Sequence, residues 1–391
     1  MLKKYSILII LVLLTVALLP ADEVSVVWSR LYRDAVNMEH RLSIMQRMVD
    51  QNNRELIPVL DEALEELISV WEKLPSETEK VTHRQLVNLI VGELGNLRAT
   101  RSATLVYQVM AERENAFQEA LAIRVLGDIN AVDYNDEISE RLRTINMDIV
   151  EYSSREEIET VVGACVYALE RLKQPEGYSP VFFASLAGYS APVMKKIDRA
   201  LADMIDDPTG ILTSILIEYS DPEIKLRTLE AAVQSKAAGE KVLSIAIEAL
   251  NQGLTINVES NRQAYALSRL RTQAAIIIRD IGIDSLDASA LLRIMLTRMF
   301  EINEMLTCIE ALGSQRNDVA AKALSDFLQY HNQRPPDIRS RDDYRVVIAT
   351  IYAMGNTGNR MVVPYLSEVE FRDWNRDVRK AAEEALAVLE N

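Results

Sequence analysis

Apolar residues recur along this chain at steps of three and four, the spacing of one face of an α-helix. The stripe within residues 27–49 consists of Val27, Leu31, Ala35, Met38, Leu42, Met45 and Val49. A longer stripe, within 260–282, consists of Ala264, Leu267, Leu270, Ala274, Ile277, Ile278 and Ile281. The sequence lacks a clear stretch with the period of two that marks a strand. The pattern therefore predicts an all-α protein.

An apolar residue followed by glycine recurs where a helical pattern stops, at Gly95, Gly127, Gly282, Gly313 and Gly355. Glycine is favoured just after a helix because it adopts the left-handed backbone conformation without steric penalty from a Cβ. We therefore expect each of these glycines to close a helix. Two of the intervals, 95 to 127 and 282 to 313, are about 30 residues long, which is typical of an α-solenoid built from helix pairs.

Working back from the C-terminus, predicted helices alternate between two sets. The first set is 374–390, 342–355, 301–313, 260–282, 221–236, 190–206, 155–173, 114–127 and 80–95. The second set is 359–369, 316–330, 285–299, 239–252, 208–219, 179–188, 133–147 and 99–111. A longer pair at 24–52 and 54–74 would cap the N-terminus, so that 22–79 forms a cap and 80–391 the array. The predicted fold is an α-solenoid, a superhelix of about nine helix pairs.

The segment Asp377–Leu386, Asp-Val-Arg-Lys-Ala-Ala-Glu-Glu-Ala-Leu, resembles the first helix of HEAT-like repeats of the type found in phycocyanobilin lyases. Asp221 to Arg227, followed by Ala231 and Ala232, is a weaker copy. The resemblance implies a stack of helix pairs in which small alanines let neighbouring repeats approach and Asp caps a helix. It also implies a surface that binds proteins, since most such arrays are scaffolds.

The first residues predict an export signal. Lys3 and Lys4 precede an apolar run from Tyr5 to Leu19, and acidic residues follow Ala21. A run of this length is shorter than the roughly 20 residues of a membrane-spanning helix and fits a secretory signal peptide at 1–21. We expect cleavage after Ala21, with Ala17 as second choice. The protein would then be periplasmic or extracellular, without membrane insertion; an uncleaved N-terminal membrane anchor is the alternative.

Charge and composition narrow the function. The chain has 43 basic and 58 acidic residues, a net charge of −15. Such a chain is repelled by phosphate backbones and anionic membranes, so we expect no nucleic-acid partner. Its 49% hydrophobic content supports a packed core. In an oxidising compartment Cys165 and Cys308 are expected to be buried free thiols, because residues so distant along a solenoid rarely meet; a disulfide is the alternative.

Motifs that carry chemistry are absent from the sequence. His40, His83 and His331 are isolated, and none of the common zinc, phosphate-loop, dinucleotide or serine-hydrolase motifs occurs. Adjacent carboxylates such as Asp206 and Asp207 point to different sides of a helix. We therefore predict a protein that is not an enzyme, with no catalytic residue, no cofactor and no metal site.

Two basic stretches are candidate partner-binding sites. The segment 331–343 lacks a helical pattern and carries Arg334, Arg339 and Arg341; long loops in compact folds often carry function. A tolerated insertion is the alternative interpretation.

The second basic stretch is helix 260–282, which has Arg262, Arg269, Arg271 and Arg279 off its apolar stripe. It is either a docking ridge for an acidic partner or a row of arginines paired with acids of neighbouring repeats. The sequence as a whole predicts an exported scaffold that binds a protein partner in the cell envelope. The alternatives are a lyase-like or enzyme-accessory protein with a small-molecule groove, and a structural protein that self-associates end to end.

Overall fold

The structure, a computed structural model, describes residues 21–71, 76–147, 154–258, 260–298, 301–335 and 343–390. Within these ranges the chain forms twenty α-helices, a few short 3₁₀ turns and no β-strand. The chain divides into two compact units, Met1–Ile205 and Asp206–Asn391. Each unit contains ten of the described helices.

The helices of the first unit, numbered along the chain, are α1 Ala21–Arg33, α2 Met38–Val49, α3 Ile57–Val70, α4 Glu77–Asn96, α5 Ala103–Glu112, α6 Ala116–Asp128, α7 Asn135–Met147, α8 Arg155–Leu172, α9 Tyr178–Ala184 and α10 Ala191–Asp203. Those of the second unit are α11 Thr209–Glu218, α12 Pro222–Gln234, α13 Gly239–Thr255, α14 Asn261–Ile281, α15 Leu286–Arg298, α16 Ile302–Ser314, α17 Asp318–Gln333, α18 Tyr344–Asn356, α19 Val363–Glu368 and α20 Arg376–Glu390.

Each unit consists of two helical layers, because helices that follow each other in sequence form packed pairs and nearly every helix also packs against the helix two positions further on within its unit. In the first unit one layer, the A layer, contains α2, α4, α6, α8 and α10, and the odd-numbered helices form the B layer. The second unit repeats this arrangement, with α12, α14, α16, α18 and α20 in its A layer. Neighbour-to-neighbour packing of helix pairs is the architecture of an α-solenoid, so the predicted fold class is confirmed.

The N-terminal cap differs from the predicted pair of helices. The segment predicted as one helix over 24–52 is two helices, α1 and α2, because Asn37 caps a new helix: its side-chain oxygen accepts a bond from the His40 amide at 2.9 Å. The buried residues of α1 are Val24, Trp28 and Tyr32 rather than the predicted stripe through Val27 and Leu31. The aromatic rings bury more area than the aliphatic side chains of that stripe, and they decide which face turns inward.

Most of the helix-closing glycines have a different role from the predicted one. Gly282 follows α14 with a φ of +63°, as expected. The other four lie one residue before the end of an A-layer helix and keep the ordinary helical backbone. A Cβ on Gly127 would lie 2.8 Å from the Cα of Ala168, and one on Gly313 would lie 2.9 Å from the Cα of Ala353. Gly127 and Gly313 therefore let consecutive A-layer helices touch backbone to backbone, whereas Gly95 packs against the side chain of Val125.

The segment predicted as a loop over 331–343 is helical at its start, because α17 continues to Gln333. His331 and Asn332 are buried there, and Asn332 accepts a hydrogen bond from the Trp374 indole at 2.8 Å. This contact extends the helix beyond the point where the sequence pattern stops. Residues 336–342 lie outside the described ranges.

Both cysteines are buried and free, Cys165 in α8 and Cys308 in α16. Burial raises the pKa of each thiol, so both stay protonated. The expectation of two buried free thiols is confirmed.

Candidate binding groove

A groove runs across the A layer of the first unit, over α6, α8 and α10, and has a volume of about 1,020 Å³. A smaller hollow of about 430 Å³ extends it to α4, and the two share Leu121 and Arg124. We call the two together the A groove. It crosses four consecutive A-layer helices, so its length is set by three helix-to-helix steps.

Two glycines in helix interiors line the A groove, Gly92 in α4 and Gly163 in α8. A Cβ on Gly92 would meet nothing within 4 Å, and one on Gly163 would meet only the flexible tip of Lys196 at 3.6 Å. Packing therefore does not require glycine at either position, although glycine in a helix interior costs about 1 kcal/mol relative to alanine. The absence of a side chain keeps the surface open at Gly92, whereas Gly163 is buried beneath the tip of Lys196.

Apolar and aromatic side chains form part of the wall. Phe117 is 59% exposed at the start of α6, and Leu121 follows one turn later. Tyr167 of α8 donates a hydrogen bond from its hydroxyl to Asp128 at 2.6 Å, and burial followed by that bond raises the pKa of Tyr167. The guanidinium of Arg124 lies over the Tyr167 ring, 5.3 Å from its centre. The ring is held in place on one edge of the groove.

The A groove is more basic than the chain around it. Six basic and four acidic side chains line it, in a protein with a net charge of −15. Three of the four acids form ion pairs with arginines of the groove. The pairs are Arg171 with Asp128 at 3.3 Å, Arg199 with Glu170 at 3.2 Å and Arg155 with Glu159 at 2.9 Å.

Three cations of the A groove are left over: Arg98, Arg124 and Lys196 form no ion pair with any part of the chain that the structure describes. Exposed cations that are not neutralised in an ion pair raise the local potential for anions.

A second groove lies on the A layer of the second unit, over α14, α16 and α18, with a volume of about 890 Å³. Its tyrosine, Tyr352, directly precedes Ala353, the residue against which Gly313 packs. Tyr167 has the same relation to Ala168 and Gly127 in the first unit. The two units thus place a tyrosine at matching repeat positions of their A layers.

The arginines predicted on helix 260–282 are mostly paired. Arg269 binds Glu223 of α12 at 3.2 Å, and Arg279 binds Glu310 of α16. Arg271 is buried: its Nε donates to Glu304 at 2.5 Å and a terminal nitrogen donates to the Gly253 carbonyl at 2.9 Å. Arg262 is exposed in the first turn of α14. Arg269, Arg271 and Arg279 are therefore paired with acidic residues of other helices, which was the alternative interpretation of this helix.

Of the arginines predicted in segment 331–343, Arg334 is within the described residues and Arg339 and Arg341 are not. Arg334 follows the end of α17 and lies over the ring of Tyr330, 5.4 Å from its centre. None of Arg262, Arg269 and Arg334 lines the second groove.

Sequence reasoning missed the A groove. Its residues are spread over α4, α6, α8 and α10, and its cations are single residues in otherwise ordinary helices. One available signal was Gly92 and Gly163, two glycines in the middle of strong helical patterns without a turn nearby.

Across the described ranges, no group of three or more histidine, cysteine or acidic residues is placed to hold a metal ion. In the same ranges no helix combines the length and the apolar character needed to cross a lipid bilayer.

The fold defines the chain as a helical-repeat protein. No protein-family model matches it, and no curated protein matches its sequence. One similar solved structure comes from a study of a conserved phosphorylation switch that controls the interaction between cadherin and beta-catenin. The two chains are 12% identical, and the match covers 94% of this chain and 96% of the other at a TM-score of 0.29. At that score the likeness carries no argument for function.

Proposed function

We propose that this protein is an exported, non-catalytic scaffold that binds a protein partner in the cell envelope through the A groove. The observation that carries the proposal is the glycine floor of that groove, which is open at Gly92 and covered at Gly163 only by the flexible tip of Lys196. A partner chain that crosses Gly92 would approach the backbone of α4 closely, and one that moves the Lys196 tip aside would do the same at Gly163. An exposed aromatic side chain, Phe117, lies beside this floor with Leu121 one turn away, and contiguous exposed apolar surface often marks interaction sites.

We also propose that the repeats are of the HEAT type, with two helices per repeat. The support is the HEAT-like signature at Asp377–Leu386, which lies on α20, an A-layer helix. Ala385 of this signature packs against Gly355 of the preceding A-layer helix, where a Cβ on the glycine would lie 3.2 Å from the alanine Cβ. Small residues at this junction fit the close approach of neighbouring repeats.

A photo-crosslinking amino acid in place of Phe117 tests the scaffold proposal in intact cells. We expect an envelope protein to be captured from this position and its crosslinked peptide to be identified by mass spectrometry. The control position is Phe371, which is 82% exposed in the second unit and lies outside both grooves. Capture from Phe371 but not from Phe117 would contradict the role of the A groove.

The arginines predicted from the sequence to contact a partner are tested separately. Replacing Arg334, Arg339 and Arg341 by alanine is expected to weaken partner capture only if segment 331–343 takes part in binding. The same reasoning applies to Arg262 and Arg269. Unchanged capture in both sets of variants would leave the A groove as the binding surface.

Export has a direct measurement. The N-terminal sequence of the protein purified from the envelope fraction is expected to begin at Asp22, after removal of 1–21. A chain that begins at Met1 and sediments with membranes would instead support the N-terminal anchor.

A further inference from the structure

We propose that the A groove binds an extended peptide segment rich in aspartate and glutamate. The inference rests on the proposed function and adds the chemistry of the partner. Its starting point is the group of three cations without an ion pair, Arg98, Arg124 and Lys196.

The three cations lie on different helices and so mark a path rather than a point. Lys196 belongs to α10, Arg124 to α6, and Arg98 lies just after α4. Neighbouring packed helices are about 9 Å apart, so the path from α4 to α10 is about 27 Å long. An extended chain covers this distance with about eight residues.

The floor of this path fits a peptide backbone. Gly92 leaves open space above α4, so that a second backbone can approach there without meeting a side chain. Gly163 of α8 is buried, and the only atom that an added Cβ would meet is the flexible tip of Lys196 at 3.6 Å, which an approaching chain can move aside. Phe117 and Leu121 lie between these helices and offer an apolar contact to alternate side chains of an extended segment. A closed small-molecule pocket would bury its lining, whereas Phe117 is 59% exposed.

The acidic residues of the groove argue against a polyphosphate ligand. Glu156, Glu159 and Glu170 line it among the cations, and a chain with one charge on every unit would face them at close range. A peptide can place carboxylates opposite Arg124 and Lys196 and neutral residues opposite the glutamates. The spacing of charges therefore favours a peptide over nucleic acid or an anionic lipid surface.

Lys196 and Lys195 provide a matched pair for the test. Both are exposed on α10, but only Lys196 lines the groove. Lys196→Glu and Lys195→Glu change the net charge by the same amount one residue apart. The full chain, as isolated from cells, is used to select binders from a random ten-residue peptide library, and the affinity of a selected peptide is then measured by fluorescence anisotropy.

We expect selected peptides to be enriched in Asp and Glu. We expect Lys196→Glu to weaken their binding at least tenfold and Lys195→Glu to change it less than twofold. Gly163→Leu, which fills the floor without altering charge, is expected to weaken binding as well. Because these readouts are binding constants of folded variants, circular dichroism of each variant shows first that its helices are intact.

Several results would overturn the inference. Enrichment of neutral or basic peptides would show that the groove does not recognise carboxylates. Equal weakening of peptide binding by Lys196→Glu and Lys195→Glu would show the same. Binding of vesicles containing anionic lipid that is lost in Lys196→Glu alone would assign the groove to a membrane. If no peptide is selected although Phe117 crosslinks a partner, the proposed acidic ligand is wrong and the scaffold proposal is retained. If Phe117 also captures no protein, both proposals are wrong.

Discussion

Gly92 and Gly127 lie in helices of the same layer but in opposite surroundings. Nothing lies within 4 Å of a Cβ built on Gly92, whereas one built on Gly127 lies 2.8 Å from the Cα of Ala168. We expect Gly92→Ala to raise the free energy of unfolding by about 0.5–1 kcal/mol, because alanine loses less backbone freedom on folding. Gly127→Ala should lower it by about 1–3 kcal/mol, because the helices must separate.

Urea unfolding followed by circular dichroism measures both variants. Gly313→Ala repeats the second substitution in the other unit, since its Cβ would lie 2.9 Å from the Cα of Ala353. Stabilisation by Gly127→Ala would contradict the close backbone contact.

Glu114, between α5 and α6, is a second residue-scale case. Burial raises its pKa to about 7, although Arg84 lies 3.2 Å away and lowers it. A raised pKa means that the folded state prefers the protonated carboxyl, so stability is fully present at acidic pH and declines as pH rises from about 4.5 to 7. Glu114→Gln should remove this decline and stabilise the protein by about 1 kcal/mol at pH 8.

Thermal unfolding at pH 5 and pH 8 tests the prediction for Glu114. Glu112→Gln, which alters an exposed carboxylate at the end of α5, is the control of equal charge. A difference between the two pH values that persists in Glu114→Gln and is absent in Glu112→Gln would count against the assignment.

At the scale of the elements, a buried cation ties helices of neighbouring repeats together. Arg271 of α14 binds Glu304 of α16 and the carbonyl of Gly253 in α13. Arg271→Met leaves a carboxylate that is 3% exposed without its partner, and removing one member of a buried pair costs about 3–5 kcal/mol. We expect a loss of that size in the free energy of unfolding, and recovery of most of it in the double variant Arg271→Met, Glu304→Leu.

The control for this pair lies on the same helix. Arg269 forms an exposed ion pair with Glu223, and such pairs contribute about 0–1 kcal/mol. Arg269→Met should therefore change stability little. A similar loss of unfolding free energy in Arg271→Met and Arg269→Met would show that the buried pair contributes no more to stability than the exposed one.

Helix order and pairing could be predicted from the sequence because apolar periodicity and breaking residues are local signals. The burial of Arg271 could not, because an arginine outside the apolar stripe reads as exposed until its partner Glu304, 33 positions later, is known. The predicted buried face of α1 was wrong for a related reason: Trp28 and Tyr32 bury a face that the aliphatic stripe does not mark. The A groove depends on four helices and has no local signature.

At the scale of the whole molecule, stability in a solenoid is a sum of repeat and neighbour terms. A local defect should therefore stay local. We expect Gly127→Ala to speed amide hydrogen exchange in α6 and α8, which meet at that contact, and to leave exchange in α18 and α20 unchanged. Hydrogen exchange with mass spectrometry measures both regions in one sample. Equal acceleration at both ends would show that the chain unfolds as a single cooperative body.

The repeated contact between a glycine and the next A-layer helix also bears on how such a chain changes length. Gly127 meets Ala168, and Gly313 meets Ala353, through the same backbone approach. A duplicated helix pair inherits a junction that already fits at both of its ends. Each duplication within the first unit would lengthen the groove by one helix step, about 9 Å, which accommodates about three further residues of an extended ligand. Growth of the gene by whole repeats and growth of the recognised sequence would then proceed in step.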